Sequence, residues 1–279
     1  MKKVIIDSGG GLLDVFGAGV LDFCLDNDLQ FDYCLGVSAG SANLSSFVAK
    51  QRGRNYRFYS VYSARKEYMS LYNLQKYGSF VNLDYAYGQL SNEGGEDPLD
   101  YQAFISNPSE YIAVSTDAYT GKSVYFDKSQ MQKNAYFPIM TSSSVPGMNK
   151  PYPFAGGLYY DGLISDLIPL EKAIELGGEK IVIILSQREE DGLFDSDLKL
   201  CKKITQKYPE CASALLNRRE RITKVLEKAK DLQEKLKVLI LSPNSSYGVS
   251  TFTRSEEGIK KLYDSGYSEA NKIIEFLNK

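Results

Sequence analysis

The first fifty residues repeat one physical pattern: an apolar run, a glycine-containing turn, and a helix of small and apolar residues. Residues 2–6 form a short β-branched run that leads into Asp7-Ser8-Gly9-Gly10-Gly11. Residues 12–28 then carry apolar side chains at helical spacing, with Val15, Leu21, Phe23 and Leu25 among them. Residues 31–35 predict a second buried strand, Gly36-Val37-Ser38-Ala39-Gly40 a tight turn, and residues 41–50 a helix whose first turn holds only small residues. Two strand–turn–helix units in succession predict an α/β fold, because parallel neighbours need a helical crossover to connect them. Both turns then lie at the carboxyl ends of adjacent strands, the edge where α/β folds place their sites.

Ser38, set between Gly36 and Gly40 on a strand-to-helix turn, has the form of a nucleophile elbow. The turn is tight and neighbouring backbone must pass close to the serine, which is what the glycines permit. The following helix would aim its unpaired N–H groups and its dipole at charge developing on a substrate. A nucleophilic serine also needs a base, and the chain contains no histidine at all. A Ser-His-Asp triad therefore cannot be built, and the base must be a carboxylate or a lysine. Asp161 is the candidate: Gly156-Gly157-Leu158-Tyr159-Tyr160-Asp161-Gly162 reads as a short strand ending on an aspartate, with Gly162 fixing the turn. The N–H groups of Gly10 and Gly11, with that of Ala39, are candidate donors to an oxyanion. Separately, Ser38 reads as a turn serine, Asp161 as a capping residue, and the glycine run as the start of a nucleotide loop. The nucleotide reading is weakened because no P-loop lysine follows, nor an acidic residue ending a second strand at the spacing a dinucleotide fingerprint needs.

Residues 51–107 are polar and tyrosine-rich, and the tyrosines between Tyr56 and Tyr87 read either as a cap over an apolar groove or as ordinary packing. Arg52, Arg54, Arg57, Arg65 and Lys66 read as a solvated helix face. Residues 111–115 and 122–126 predict a β-hairpin around a turn at 117–121. A helix is expected over 166–178, a buried strand over 180–185, a charged amphipathic helix over 218–237, a last strand over 237–241 and a closing helix over 256–279. With neither internal repeats nor a low-complexity linker, residues 1–279 are expected to form one domain.

A net charge of −2 and a pI near 5.5 give no electrostatic footprint for nucleic acid. Cys24, Cys34, Cys201 and Cys211 lack CxxC spacing, so neither a zinc site nor a disulfide framework is expected, and Cys24 and Cys34 read as buried small hydrophobes. No EF-hand loop occurs, and neither calcium nor any other metal or cofactor is implied. Asp7 ends the first apolar run too early for a signal peptide and no stretch reaches membrane-spanning length, so the expected location is the cytoplasm.

Taken in chain order, the motifs resemble those of the patatin-like phospholipases, nearest the compact bacterial branch. They are the glycine-rich opening with Val15-Phe16-Gly17-Ala18-Gly19-Val20-Leu21-Asp22, the Ser38 elbow, Thr116-Asp117-Ala118-Tyr119-Thr120-Gly121, and residues 142–146. Tyr160-Asp161-Gly162 leading to Ser165-Asp166-Leu167-Ile168-Pro169 follows, and then Leu262-Tyr263-Asp264-Ser265-Gly266-Tyr267. The resemblance implies a three-layer α/β/α sandwich with a mainly parallel central sheet, and a Ser-Asp dyad that hydrolyses lipid or phospholipid acyl esters. It makes Ser38 the nucleophile, Asp161 the base, and Gly9, Gly10 and Gly11 the oxyanion loop, with transient contact to a membrane surface. Where the family's loop continues with a basic residue and another glycine, this chain has Leu12-Leu13-Asp14, and Asp14 is expected to cap the following helix. Acyl transfer at the same site, or an inactive lipid-binding protein, are the alternative expectations.

Overall fold

The two strand–turn–helix units build the centre of one sheet. In the computed structural model, which describes residues 1–187, 204 and 206–279, the chain begins β1 (Lys3–Asp7), α1 (Val15–Asp26), β2 (Tyr33–Val37), α2 (Ala39–Val48). It continues α3 (Arg54–Ser60), α4 (Leu71–Tyr77), α5 (Tyr101–Ser106), β3 (Glu110–Asp117), β4 (Ser123–Asp127), α6 (Phe137–Ser142), β5 (Tyr152–Phe154) and β6 (Gly157–Asp161). Then come α7 (Leu170–Glu175), β7 (Lys180–Ile184), α8 (Pro209–Leu216), α9 (Arg218–Glu234), β8 (Val238–Leu241), α10 (Glu256–Glu269) and α11 (Asn271–Asn278). The sheet runs β5-β6-β3-β2-β1-β7-β8, with β4 also paired to β3. Strands β3, β2, β1, β7 and β8 are mutually parallel. The pairings of β3 with β4, β3 with β6 and β5 with β6 are antiparallel.

The parallel strands are continuous apolar runs because both of their faces are covered. Ile5, Cys34, Val182 and Ile184 pack into one core with α1, α2, α10 and α11, through Phe16, Leu44, Leu262 and Ile273. Their strand neighbours Val4, Ile6, Leu35, Val37, Ile181 and Ile183 point the opposite way, as the period of two requires, and meet Leu170 of α7 and Ile222 and Leu226 of α9. The result is an α/β/α sandwich. Cys24, Cys34 and Cys211 are buried, while Cys201 lies outside the described residues.

Helix α10 lies against α1 with almost no space between the backbones. A β-carbon on Gly19 would sit 2.1 Å from the Tyr263 carbonyl oxygen, and one on Gly266 would sit 2.0 Å from that of Phe16. Beside this contact the Tyr263 hydroxyl donates to Asp22 (2.7 Å) and the Tyr267 hydroxyl to Asp26 (2.9 Å). The motif near the chain end is thus a docking surface for the first helix.

Four local expectations change. Residues 11–14 form a 3-10 turn, so α1 starts at Val15. The helix expected over 166–178 shrinks to Leu170–Glu175, since Asp166 folds back onto the Gly162 carbonyl (2.9 Å) and Pro169 disfavours helix in the residue before it. The closing helix breaks at Ala270 into α10 and α11. The basic cluster is solvated except at Arg54, which is largely enclosed against the buried Asp97; Arg57 on Asp97, Arg52 on Asp26 and Arg65 on Glu96 form ion pairs at the surface.

Gly266→Ala is expected to lower stability by about 1–3 kcal/mol through overpacking, read as a lower thermal midpoint by circular dichroism. An unchanged midpoint would contradict the close α1–α10 approach.

Candidate active site

Ser38 sits between the end of β2 and the first residue of α2, at φ 55° and ψ −129°. This is a sparsely populated conformation for a residue with a side chain, and the surroundings hold it in place. The Ser38 N–H donates to Ser142 Oγ (2.9 Å), whose own hydroxyl donates to the Val114 carbonyl (2.6 Å). The Ser38 carbonyl accepts both the N–H of Ser41 (3.0 Å) and its hydroxyl (2.6 Å). Only 8% of Ser38 remains exposed, and that part faces a cavity.

Asp161 ends β6 and is fully buried. Its backbone is fixed at both ends: the N–H donates to the Ser144 carbonyl (3.0 Å), and the carbonyl accepts the Thr116 hydroxyl (2.8 Å). The two carboxylate oxygens differ. Oδ1 accepts the Leu163 N–H at 2.8 Å, whereas buried Oδ2 has no hydrogen-bond partner among the described residues. Burial pushes the carboxyl up to about 7, against the Leu163 N–H, the Ser38 hydroxyl and the charge of Arg218, which favour the ionised form. The Ser38 hydroxyl is therefore close enough to stabilise the carboxylate without making a hydrogen bond of ordinary geometry to it.

The glycine loop presses directly on the elbow. Gly9 has φ +68°, and a β-carbon there would lie 2.3 Å from the Val37 carbonyl oxygen and 3.0 Å from Ser38 Cβ. Its N–H donates to Asp7 Oδ1 (3.2 Å). The N–H groups of Gly10 and Gly11 make no hydrogen bond among the described residues, and Ala39 opens α2, where helical N–H groups are unpaired. Gly36, Gly40 and Gly162 each face backbone at close range, of Ser41, Asp7 and Val114 respectively. Gly9, Gly10, Gly11, Ser38 and Ala39 all line one cavity of about 420 Å³, with Asp161 buried behind the serine. Its walls are largely apolar, including Met69, Val81, Leu83, Met148 and Phe252. Of the tyrosines between Tyr56 and Tyr87, Tyr68 and Tyr87 reach this cavity, while Tyr59 is buried against Asn43 and Tyr56 stacks on Tyr263. Among the described residues no three His, Cys, Asp or Glu side chains converge as metal ligands.

A family profile described as Patatin-like phospholipase matches residues 6–174, more than half of the chain, and covers the elbow, the loop and the β6 turn. The chain belongs to the patatin-like phospholipase family. Members of this family are lipid acyl hydrolases. A second profile, described as Domain of unknown function (DUF6363), matches residues 208–279. The uncharacterised protein YjjU of Escherichia coli K12 is 31% identical over 190 residues, a match that spans 66% of this chain and 51% of that protein. The fold is similar to that of VipD from Legionella pneumophila, with a TM-score of 0.50 at 13% identity, covering 98% of this chain and 67% of that one. No helix among the described residues is long and apolar enough to cross a membrane.

The patatin-like loop of this chain differs from the sequence expectation at Asp14. The residue occupies the helix N-cap position, yet its side chain makes no capping hydrogen bond. It is fully buried, with Asn43 Nδ2 donating to its Oδ2 (2.9 Å) and its carbonyl (3.0 Å). Room for it comes from Gly17, where a β-carbon would stand 2.6 Å from Asp14 Oδ1 and 2.8 Å from Asp7 Oδ2. Burial raises both carboxyls, and the charge of Asp7 raises Asp14 further. Asp14 Oδ1 has no hydrogen-bond partner among the described residues.

Sequence reasoning missed the supporting roles of Ser142, Thr116 and Arg218. The available signal for Ser142 was the run Thr141-Ser142-Ser143-Ser144, hydroxyl-rich yet mostly buried. Arg218 has none, because it lies 57 residues beyond Asp161 in an ordinary charged helix.

A folded-state pKa raised above its unfolded value favours the folded protein fully at low pH, and that contribution disappears as pH climbs through the raised value. Asp14→Asn, which can still donate to Asp7, is expected to gain about 1–3 kcal/mol over the wild type between pH 5 and pH 8. Urea unfolding at the two pH values measures this gain, and a difference independent of pH would contradict the raised Asp14 carboxyl.

Proposed function

We propose that this chain is a serine acyl hydrolase of lipid acyl esters, working as one catalytic domain over residues 1–279, with Ser38 as nucleophile and Asp161 as base. The observation that carries the reading is the Asp161 carboxylate: fully buried beside Ser38, with one oxygen pinned by the Leu163 N–H and the other unpaired. An ordinary aspartate, with a pKa of about 3.9, is a weak base. A carboxylate raised to about 7 is matched to proton transfer near neutrality. Oδ2 accepts the Ser38 proton as Oγ attacks the ester carbonyl, a contact that tightens once substrate is bound. The tetrahedral oxyanion is received by the N–H groups of Gly10, Gly11 and Ala39. Gly9 brings the loop onto the serine, its own N–H being engaged by Asp7. Asp161 returns the proton to the leaving alcohol, then activates water to release the acyl group from Ser38. The apolar cavity beside Ser38 receives the acyl chain.

The same reading places the mouth of the cavity at a lipid surface. The chain leaves the cavity wall at Met69 and returns at Val81, the two residues being bridged, and the segment between them carries α4. Leu71, Tyr72, Leu74 and Tyr77 of α4 are exposed, an apolar grouping suited to the interfacial region of a bilayer.

With a soluble p-nitrophenyl ester, Ser38→Ala is expected to abolish hydrolysis and Asp161→Asn to lower kcat by about 10²–10⁴-fold. The wild-type kcat/KM is expected to rise with pH through about 7 as Asp161 ionises. Full activity in either variant, or a flat profile between pH 5 and 8, would reject the assignment. Leu71→Asp with Leu74→Asp is expected to reduce hydrolysis of phospholipid vesicles at least about tenfold while sparing the soluble ester. Equal losses on both substrates would rule out α4 as the lipid-facing element.

A further inference from the structure

We propose that Arg218, at the start of α9, is a positioning residue for the Asp161 base: it clamps the turn that aims the carboxylate and sets a fixed positive charge beside it. This rests on the catalytic reading of Asp161, and it assigns a role to a residue of the segment matched by the profile of unknown function.

After Asp161 the chain makes a single 3-10 turn, Gly162–Ile164. Leu163 in that turn is bonded on both sides. Its N–H donates to Asp161 Oδ1 at 2.8 Å, and its carbonyl accepts the Nε–H of Arg218, also at 2.8 Å. One residue thus links guanidinium to carboxylate through its two peptide groups. The bond from Arg218 is charge-assisted and polarises the turn it holds. The next carbonyl, that of Ile164, accepts from Arg221, which also donates to the Ala214 carbonyl (2.7 Å). Arg218 and Arg221 are three residues apart and so share one side of α9, which faces the turn.

Arg218 is 6% exposed and lines the cavity together with Ser38 and Leu163. Among the described residues the groups facing Asp161 are the Ser38 hydroxyl, the Leu163 N–H, Arg218 and the Tyr87 phenol, which burial pushes up to about 12 and keeps neutral. Arg221 faces Asp166 instead. Among the described residues Arg218 is therefore the charged group that opposes the burial of Asp161 and favours its ionised form.

The test compares the full-length wild type with Arg218→Gln and Arg218→Lys. Two readouts are taken: the Asp161 carboxyl titration by ¹³C NMR, identified with Asp161→Asn, and the pH profile of kcat/KM on a soluble ester. Arg218→Gln is expected to move both the titration and the acid limb upward by about one pH unit. Activity at pH 6 then falls about tenfold and recovers toward the wild-type value by pH 9. Arg218→Lys, which keeps a charge without the planar fork, is expected to shift less than Arg218→Gln. An Asp161 titration unmoved in Arg218→Gln, a loss equal at all pH values, or equal shifts in the two variants would overturn the proposal. Hydrolysis that survives Ser38→Ala would instead overturn the catalytic reading, while the NMR titration, which needs no turnover, would still decide the Arg218 contact.

Discussion

The structure depends on a backbone conformation that side-chain-bearing residues avoid. Ser38, at φ 55° and ψ −129°, carries strain of about 1–3 kcal/mol, and several otherwise unrelated segments converge to hold it. Ser142 brings in α6 and ties the elbow to β3 through the Val114 carbonyl. Ser41 closes the first turn of α2. Gly9 can rest against the serine only because it has no β-carbon. Ser142 and the glycine loop are separated by about half the chain, yet both bear on this one turn.

A chain without histidine is left with carboxylates or lysines for near-neutral proton chemistry, and here burial brings carboxylates into that range. Two buried acid sites lie within this small region, and their surroundings give them different fates. Asp161 has an N–H on one oxygen and an arginine nearby, so its carboxyl stays poised near neutrality. Asp7 and Asp14 have each other and Asn43, and burial raises both carboxyls. That pair stands under the glycine loop where family members carry a basic residue and a glycine. The loop is held here by Asp7 through the Gly9 N–H.

The residues beyond the patatin profile are joined to the site rather than appended to it. Helix α10 lies on α1 at backbone contact through Gly19 and Gly266. Helix α9 covers the opposite face of the sheet through Ile222, Leu226 and Ala229, and its first turn delivers Arg218 and Arg221 to the carbonyls that follow Asp161. The same helix therefore contributes both apolar burial and local electrostatics.

The sequence alone determined the α/β class, the strand–turn–helix order, the hairpin at β3 and β4, the elbow at Ser38 and the family. These rest on local periodicity and on glycine spacing, which follow from backbone sterics within a few residues. It also excluded a histidine-based triad by composition. What it could not determine depends on groups distant in the chain meeting in space. Asp14 has the local features of a helix cap, and only the vacancy left by Gly17 and the approach of Asp7 turn it inward. Arg54 looks like one solvated charge among several until Asp97 is folded over it. Arg218 belongs to an unremarkable charged helix, and only the packing of α9 against the β6 turn brings it to Asp161. Burial and charge set the chemistry of a carboxylate, and both are properties of the packed interior that local sequence does not encode.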